Sequence, residues 1–327
     1  MKFNIDFVVP WVDGDDPEWL ELFNKYSPTK ISASHDYYSS KKRYEDIGLL
    51  RYWFRCVEKN APWVNKIFFV TNGQKPDWLN LAYEKLVWVK HEDFIDKQYL
   101  PVFSSHAIEM NLHRIKMLSD HFVYFNDDFF LINNVEPSHY FSPDGLPCDY
   151  AILDVLPTHT PWGHTLLNDL IEINAHFNIR DVISANKKKW YNIKYERKDM
   201  LKTLFFHKIR ARSFPGFKAR HFSQPYLKDT FAEVWRNCED SLRETSSRKF
   251  RNIENVNQYI FRYWQLVTGN FIPFVPRYKV FFWNTKNLEK VLSKQKIKEI
   301  CINDGKKCEE TIALFQKFYP QKSKFEL

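Results

Sequence analysis

A strand-like run, Ile5 to Val9, opens the chain almost at its first residue and stops at Pro10-Trp11-Val12-Asp13-Gly14-Asp15-Asp16-Pro17. A buried strand that ends in a Trp and three acids suits a site at the carboxyl edge of an α/β sheet, where nucleotides and phosphates bind. The next segments keep that rhythm. "DIGLLRYWFRCVEKNAP" sets Leu50, Trp53, Phe54, Val57 and Ala61 on one helical face, with Pro62 closing it. "KIFFVTNG" and "KLVWVKHED" read as strands. "SSHAIEMNLHRIKMLS" reads as a helix capped by Ser105, with Ile108, Leu112 and Ile115 at helical spacing, and "HFVYFNDDFFLI" as strand, acidic turn and renewed apolar run. Strand–helix–strand alternation predicts an α/β fold with a mostly parallel Rossmann-like sheet.

Beyond about residue 150 the pattern loosens. "KKKWYNIKYERKDMLK" and "FFHKIRARSFPGFKARHF" mix basic and aromatic residues without clean periodicity, whereas "VNQYIFRYWQLV", "TKNLEKVLSKQKIKEI" and "EETIALFQKFY" look helical. The division this predicts is an α/β core over residues 1–150 and a mainly helical, basic cap over 151–327 folded against it as one compact domain.

Composition bounds the function classes. Of the 327 residues, 44% are hydrophobic and 17% aromatic, enough for a large core and too apolar for disorder. A formal charge of +8 fits an acidic partner: a nucleotide-sugar, a polyanionic glycan, a membrane surface or nucleic acid. Five scattered cysteines (Cys56, Cys148, Cys238, Cys301, Cys308) without a CxxC pair argue against a disulfide framework or structural zinc. No signal-peptide core or bilayer-length apolar run is present, so a cytoplasmic protein is expected; peripheral contact with the inner membrane face suits the basic charge, although no amphipathic anchor is evident. Glycine-loop phosphate cradles and the nucleophile-elbow motif do not occur, and no nucleic-acid-binding motif is found. A phosphate site here must use metal, Arg/Lys and helix ends.

Asn126-Asp127-Asp128 is the sharpest chemical signal: an apolar strand delivers adjacent carboxylates to its end, an arrangement suited to Mg²⁺ or Mn²⁺ on a pyrophosphate, or else simply an acidic turn. Adjacent Asp residues point to opposite faces if extended, so one of them can miss the metal. Asp13 lies nearest the first strand's end, while Asp15 and Asp16 before Pro17 are explained by a turn or helix cap. Trp11 could stack on a base or sugar or belong to the core. His106, Glu109 and His113 share a helical face but match no zinc motif. The helix start at Ser104-Ser105-His106 is an anion site that Arg114 could reinforce. Arg210, Arg212, Lys218, Arg220 and His221, then Arg248 and Arg251, form basic segments that read either as solvated loops or as phosphate contacts.

These stretches resemble the Stealth family of sugar-phosphate transferases, which includes bacterial capsule polysaccharide phosphotransferases and the animal enzyme that adds N-acetylglucosamine-1-phosphate to lysosomal glycoproteins. Four blocks carry the resemblance: "IDFVVPWVDGDDPEW"; "RYEDIGLLRYWFRCVEKNAPWVNKIFFVTNGQKPDWLN" through "LPVFSSHAIEMNLHRIKMLSDHFVYFNDDFFL"; "HFSQPYLKDTFAEVW" with "SSRKFRNIENVNQY"; and "ICINDGKKCEE…FYPQKSKFEL". Coverage is weakest between about 145 and 205, and Val9-Pro10-Trp11 departs from the Tyr-Thr-Trp-like sequence expected in the first block. The animal enzyme's extra modules and membrane anchors are not seen, so a bacterial-type enzyme is expected.

The resemblance implies that a UDP-sugar donates a hexose-1-phosphate, or its N-acetylhexosamine counterpart, to a hydroxyl of an oligo- or polysaccharide, releasing UMP. It implies a divalent metal on Asp127 and Asp128, with Asp13 assisting, and His221 as general base. Arg251 would stabilise the migrating phosphoryl group, with Trp11, Asn72, His106, Arg114, Asn126 and Arg248 as substrate contacts. Asn303-Asp304 falls in the last block without an assigned role. Two rivals remain open: a metal-dependent glycosyltransferase releasing UDP, and a non-enzymatic polyanion binder.

Overall fold

The computed structural model describes residues 1–27, 43–157, 159–209, 212–282, 287–303 and 309–327. Its first half runs β1 (Ile5–Pro10), α1 (Pro17–Tyr26), α2 (Leu50–Asn60), β2 (Ile67–Thr71), β3 (Leu86–Lys90), α3 (Ser105–Asn111), β4 (His121–Tyr124), β5 (Phe129–Leu131) and β6 (Cys148–Asp149). The second half runs α4 (Pro161–His176), α5 (Ile179–Ala185), α6 (Lys187–Trp190), α7 (Arg197–Lys208), β7 (Gln224–Leu227), α8 (Lys228–Asn237), α9 (Glu239–Ser247) and α10 (Tyr259–Val267). It closes with β8 (Ile272–Pro273), β9 (Tyr278–Phe282), α11 (Leu288–Leu292), β10 (Glu299–Asn303) and α12 (Glu309–Phe318).

The central sheet has strand order β3-β2-β1-β4-β7; β3, β2, β1 and β4 are parallel and β7 is an antiparallel edge. Both faces of β1 are buried. Ile5, Phe7 and Val9 pack with α2, while Val8 packs on the other face with Phe68, Phe122 and the helices of the second half. Alternation therefore gives no polar face, which is the signature of a parallel strand covered on both sides. Asp6 is fully buried in that strand, yet its carboxylate accepts from Asn65 Nδ2 (2.7 Å), Lys66 N (3.1 Å) and Ser119 N (2.7 Å). One carboxylate thus ties the entries of β2 and β4 to β1, which makes the burial tolerable.

β7 comes from residues 224–227, so the second half contributes a strand to the sheet that it also covers. A second sheet, β5-β10-β9, likewise joins early and late parts of the chain. Its β10 occupies the end of "TKNLEKVLSKQKIKEI", and among the described residues of that segment only α11 is helical. The basic stretch that lacked periodicity contains α6 and α7. The helix start at α3 also differs from expectation: Ser104, not Ser105, is the N-cap residue. Asp16 caps α1 through Trp19 N at 2.8 Å, as its position before Pro17 implied.

The C-terminus is stapled to α2. Arg55 is buried and makes a bidentate pair with Glu326, with Nε–Oε1 and Nη2–Oε2 both 2.8 Å, and Phe325 packs on Phe54. The final matching block of the sequence thus has a structural task. Cys56, Cys148, Cys238 and Cys301 are free and buried, whereas Cys308 lies outside the described residues.

Candidate active site

Strand order reverses between β1 and β4, because β2 and β3 lie on one side of β1 and β4 on the other. A cavity of about 850 Å³ opens beyond the carboxyl ends of these two strands, the place such a crossover creates for ligands. Pro10, Trp11 and Val12 leave β1 along its wall, and Asn126, Asp127 and Asp128 leave β4. Asn72 comes from the end of β2, Ser105, His106 and Glu109 from α3, His221 from the strap before β7, and Arg251 from the loop after α9.

Of the residues singled out in the sequence, Trp11, Asn72, His106, Asn126, Asp127, Asp128, His221 and Arg251 therefore line one cavity. Asp13 does not. Its carboxylate accepts from Asp15 N at 3.0 Å, and its backbone is bonded on both sides to Gln74, so it shapes the turn below the rim. Gly14 beside it is required by space: an added Cβ would lie 2.5 Å from the Tyr44 carbonyl oxygen. Arg114 is also misplaced as an anion contact. α3 is only seven residues long, and Arg114 emerges beyond its far end, stacked 4.4 Å from the Trp235 ring. Arg248 is half-exposed and paired with Glu244 and with Glu254 (3.1 Å). Arg210 and Asp304 lie outside the described residues, and nothing assigns Asn303 a role.

The electrostatics of the floor are unusual. Asp127 and Asp128 keep some surface toward the cavity but are otherwise enclosed by protein. Burial, then the charges of Asp128 and Asp46, push the Asp127 carboxyl up to about 8. Burial raises Asp128 as well, against the opposing pull of His221 and a hydrogen bond from the Cys301 thiol, whose Sγ lies 3.3 Å from Oδ2. The other Asp128 oxygen, Oδ1, is buried with no hydrogen-bond partner. Two enclosed carboxyls that resist ionisation together, one with an orphaned oxygen, form a donor set that a divalent cation would satisfy. Single ligand atoms of Asp128, His221 and Cys301 lie within 4.8 Å of one another. The thiol, however, is held well above its ordinary value by burial and by Asp128, so it acts as a hydrogen-bond donor. The oxygen donors match hard Mg²⁺ or Mn²⁺ rather than zinc. A second group, Glu172, His176 and Cys238, lies outside the cavity wall.

Above this floor, Arg251 Nη2 donates to Ser105 Oγ at 2.7 Å. Burial, and next the Arg251 and Arg43 charges, hold His106 well below its ordinary value, which keeps its imidazole neutral. The His221 ring meets Phe129 edge-on at a centroid distance of 5.3 Å, which fixes its plane beside Asp128. Trp11 packs on Phe69, and its buried Nε1 has no hydrogen-bond partner. Core packing and cavity lining are therefore combined in one side chain.

Three cavity-related residues escaped the sequence reading. Glu109 accepts from Tyr124 OH (3.0 Å) and Gln258 N (3.3 Å), and burial drives its carboxyl up to about 7 against the Arg251 charge. It was visible on the α3 face, but only as a failed zinc ligand. Arg43 lines the cavity just ahead of the second matching block's aromatic and acidic residues. Cys301 reaches Asp128 from β10, and no local signal connects positions 173 residues apart.

Family models match two parts of the chain: Stealth protein CR1, conserved region 1, over residues 3–30, and Stealth protein CR2, conserved region 2, over residues 43–149. Capsular polysaccharide phosphotransferase WcwK of Streptococcus pneumoniae is 38% identical over 100% of both chains. Receptor polysaccharide phosphotransferase WefC of Streptococcus oralis is 37% identical over 99% of both. Exopolysaccharide phosphotransferase cps2G of Lactiplantibacillus plantarum is 35% identical over 99% of this chain and 96% of its own. Among solved structures, the apo WbbM bifunctional glycosyltransferase aligns with 98% of this chain and 50% of its own, at 10% identity and a TM-score of 0.38, too distant to bear on the reading. The likeness to the phosphotransferases runs from end to end and includes both halves of the cavity wall, and on that basis the chain belongs to the Stealth family of polysaccharide phosphotransferases.

Proposed function

We propose that this enzyme transfers a hexose-1-phosphate, or an N-acetylhexosamine-1-phosphate, from a UDP-sugar to a hydroxyl of a growing glycan. The acceptor oxygen bonds to the β-phosphorus, the bond from that phosphorus to the bridging oxygen breaks, and UMP leaves. The observation that carries this reading is the convergence, in one 850 Å³ cavity, of the Asp127-Asp128 pair, His221 and Arg251 from three remote segments. That set meets the needs of phosphoryl transfer, which depends on positioning and charge stabilisation more than on covalent help from the protein.

His221 takes the proton of the attacking hydroxyl, a task for which a neutral imidazole is competent at physiological pH. Arg251, anchored by Ser105, faces the charge that grows on the transferring phosphoryl oxygens. Glu109 lies close enough to feel the Arg251 charge. Asp127 and Asp128 would hold Mg²⁺ or Mn²⁺, which when bound neutralises pyrophosphate charge and assists departure of the nucleotide. Trp11 and Asn72 offer a flat face and an amide to the nucleoside side of the donor. His106 supplies a neutral donor that adds no further charge.

The test is the identity of the nucleotide set free when purified enzyme, UDP-sugar, Mg²⁺ and acceptor are combined. UMP is expected. UDP would mean attack at the anomeric carbon, and no nucleotide release with any UDP-sugar would leave only polyanion binding.

A further inference from the structure

Helix α7 carries apolar side chains on its outer side. It buries Asp199 (2% exposed) and Thr203 (1%), yet exposes Leu201 (64%), Leu204 (40%) and Phe205 (59%). Asp199 is held inward by Lys218 at 2.8 Å, Thr203 Oγ1 donates to the Asp199 carbonyl at 3.1 Å, and Met200 and Phe206 pack against the core, so bonds and apolar contact together fix the register. Beyond the side chains that meet the core, a second apolar stripe at positions 201, 204 and 205 faces outward, where an amphipathic helix would carry polar residues. Ile193, on the turn before α7, is a further apolar side chain, 94% exposed. Tyr191, Arg197, Met200, Leu201 and Leu204 surround a shallow apolar hollow of about 350 Å³.

The surroundings are basic. Residues 187–209 contain eight Lys and Arg (187, 188, 189, 194, 197, 198, 202 and 208) against two acids, Glu196 and Asp199, a net of +6 from 8 minus 2. Glu196 already pairs with Lys198, and Asp154 from outside the segment pairs with Lys202. Lys187, Lys208 and Arg180 gather around His207; after burial, their charges depress its imidazole further. Tyr191 OH bonds His207 Nδ1 at 2.8 Å and fastens α6 to α7, so the cationic and apolar groups form one rigid surface.

We propose that the outward face of α7, with Ile193 and the lysines of α6, is an interfacial docking surface for an anionic lipid bilayer. Exposed Leu, Ile and Phe enter the boundary between headgroups and acyl chains while Lys and Arg meet acidic headgroups, the division of labour of a surface-lying membrane helix. A second copy of the chain is the poorer occupant, because a two-fold contact would set this basic segment against itself. No described helix is long and apolar enough to cross a membrane. The surface also has a physical link to the active site. Lys218, which locks Asp199, lies on the same strap as Ala219 and His221 of the cavity wall. The inference does not depend on which bond is made in the cavity.

Vesicle flotation of the whole protein tests it. Wild type is expected to float with phosphatidylcholine vesicles containing phosphatidylglycerol, and not with pure phosphatidylcholine. The double variant Leu201→Glu/Phe205→Glu should lose flotation by about tenfold or more. Lys187→Glu/Lys188→Glu should weaken it and reduce its sensitivity to salt. All four side chains are exposed, and unchanged melting curves and nucleotide release with a soluble acceptor serve as the folding control. Equal flotation of wild type and the Leu201/Phe205 variant overturns the proposal, as does failure of wild type to float. A concentration-dependent dimer abolished by Leu201→Glu/Phe205→Glu overturns it in favour of self-association.

Discussion

Replacing Asp149 by Ala should damage both stability and turnover, although Asp149 does not line the cavity. Its buried carboxylate receives Arg262 Nε at 2.8 Å and Nη2 at 3.2 Å, and Arg220 Nη1 lies 3.1 Å away. Both guanidiniums are enclosed, at 0% and 1% exposure. Arg262 also donates to the Lys218 and Tyr150 carbonyls, and Arg220 to those of Cys148 and Ser223. Asp149 is therefore the anion that holds the His221 strap to α10. Its removal leaves two buried cations without a counter-charge, a loss of about 3–5 kcal/mol. With about 2 cal/mol/K of unfolding entropy per residue over 327 residues, the melting temperature should fall by roughly 6 °C. kcat should drop more than KM changes, because Arg220 immediately precedes His221 in the chain.

Calorimetry and steady-state nucleotide release measure the two effects. A melting shift below about 1 °C with unchanged kcat would show that the strap is held by other means. The pH dependence has a definite sign. Burial alone would raise the Asp149 pKa, but Arg262 and then Arg220 overcome it and hold the carboxyl below its ordinary value. Its contribution to stability is thus complete above the unfolded carboxylate value of about 4 and is lost as pH falls through the lower folded value. Asp149→Ala should flatten that acid limb.

Three further outcomes concern the cavity directly. His221→Ala should lower kcat by about 100-fold or more with little change in donor KM, read from initial rates; unchanged kcat would remove it as the base. Asp127→Asn and Asp128→Asn should each weaken the Mg²⁺ or Mn²⁺ dependence of turnover by an order of magnitude or more, and identical metal titrations for both would undo the cation assignment. Arg251→Ala should cost about 100-fold in kcat/KM whereas Arg248→Ala, whose partners are Glu244 and Glu254, should cost less than about threefold; the reverse ranking would exchange their roles.

Much of the site was legible because strands announce their ends. Ile5–Val9 and Phe122–Phe125 are apolar runs that stop at polar residues, and a parallel sheet brings such ends to one edge. Trp11 and Asp127-Asp128, which line the cavity, stand out in the sequence for that reason. Asp13 was misjudged because acids next to glycine serve turns as readily as ligands, and its carboxylate satisfies Asp15 N instead. Arg114 was misjudged because helical spacing was carried past Asn111, where α3 ends. Cys301 and β7 were illegible for another reason: their partners lie far away in the chain, and no local period records that. α7 lacked a readable period because apolar residues lie on both sides of it, Met200 and Phe206 against the core and Leu201, Leu204 and Phe205 outward, while its most buried positions are Asp199 and Thr203.

A donor carrying radioactive phosphorus at the β position tests the central claim most directly. The account predicts that label enters the polymer, stays with it after nucleotide is removed, and is lost together with activity in His221→Ala. Label recovered entirely in UDP, with an unlabelled polymer, would contradict it.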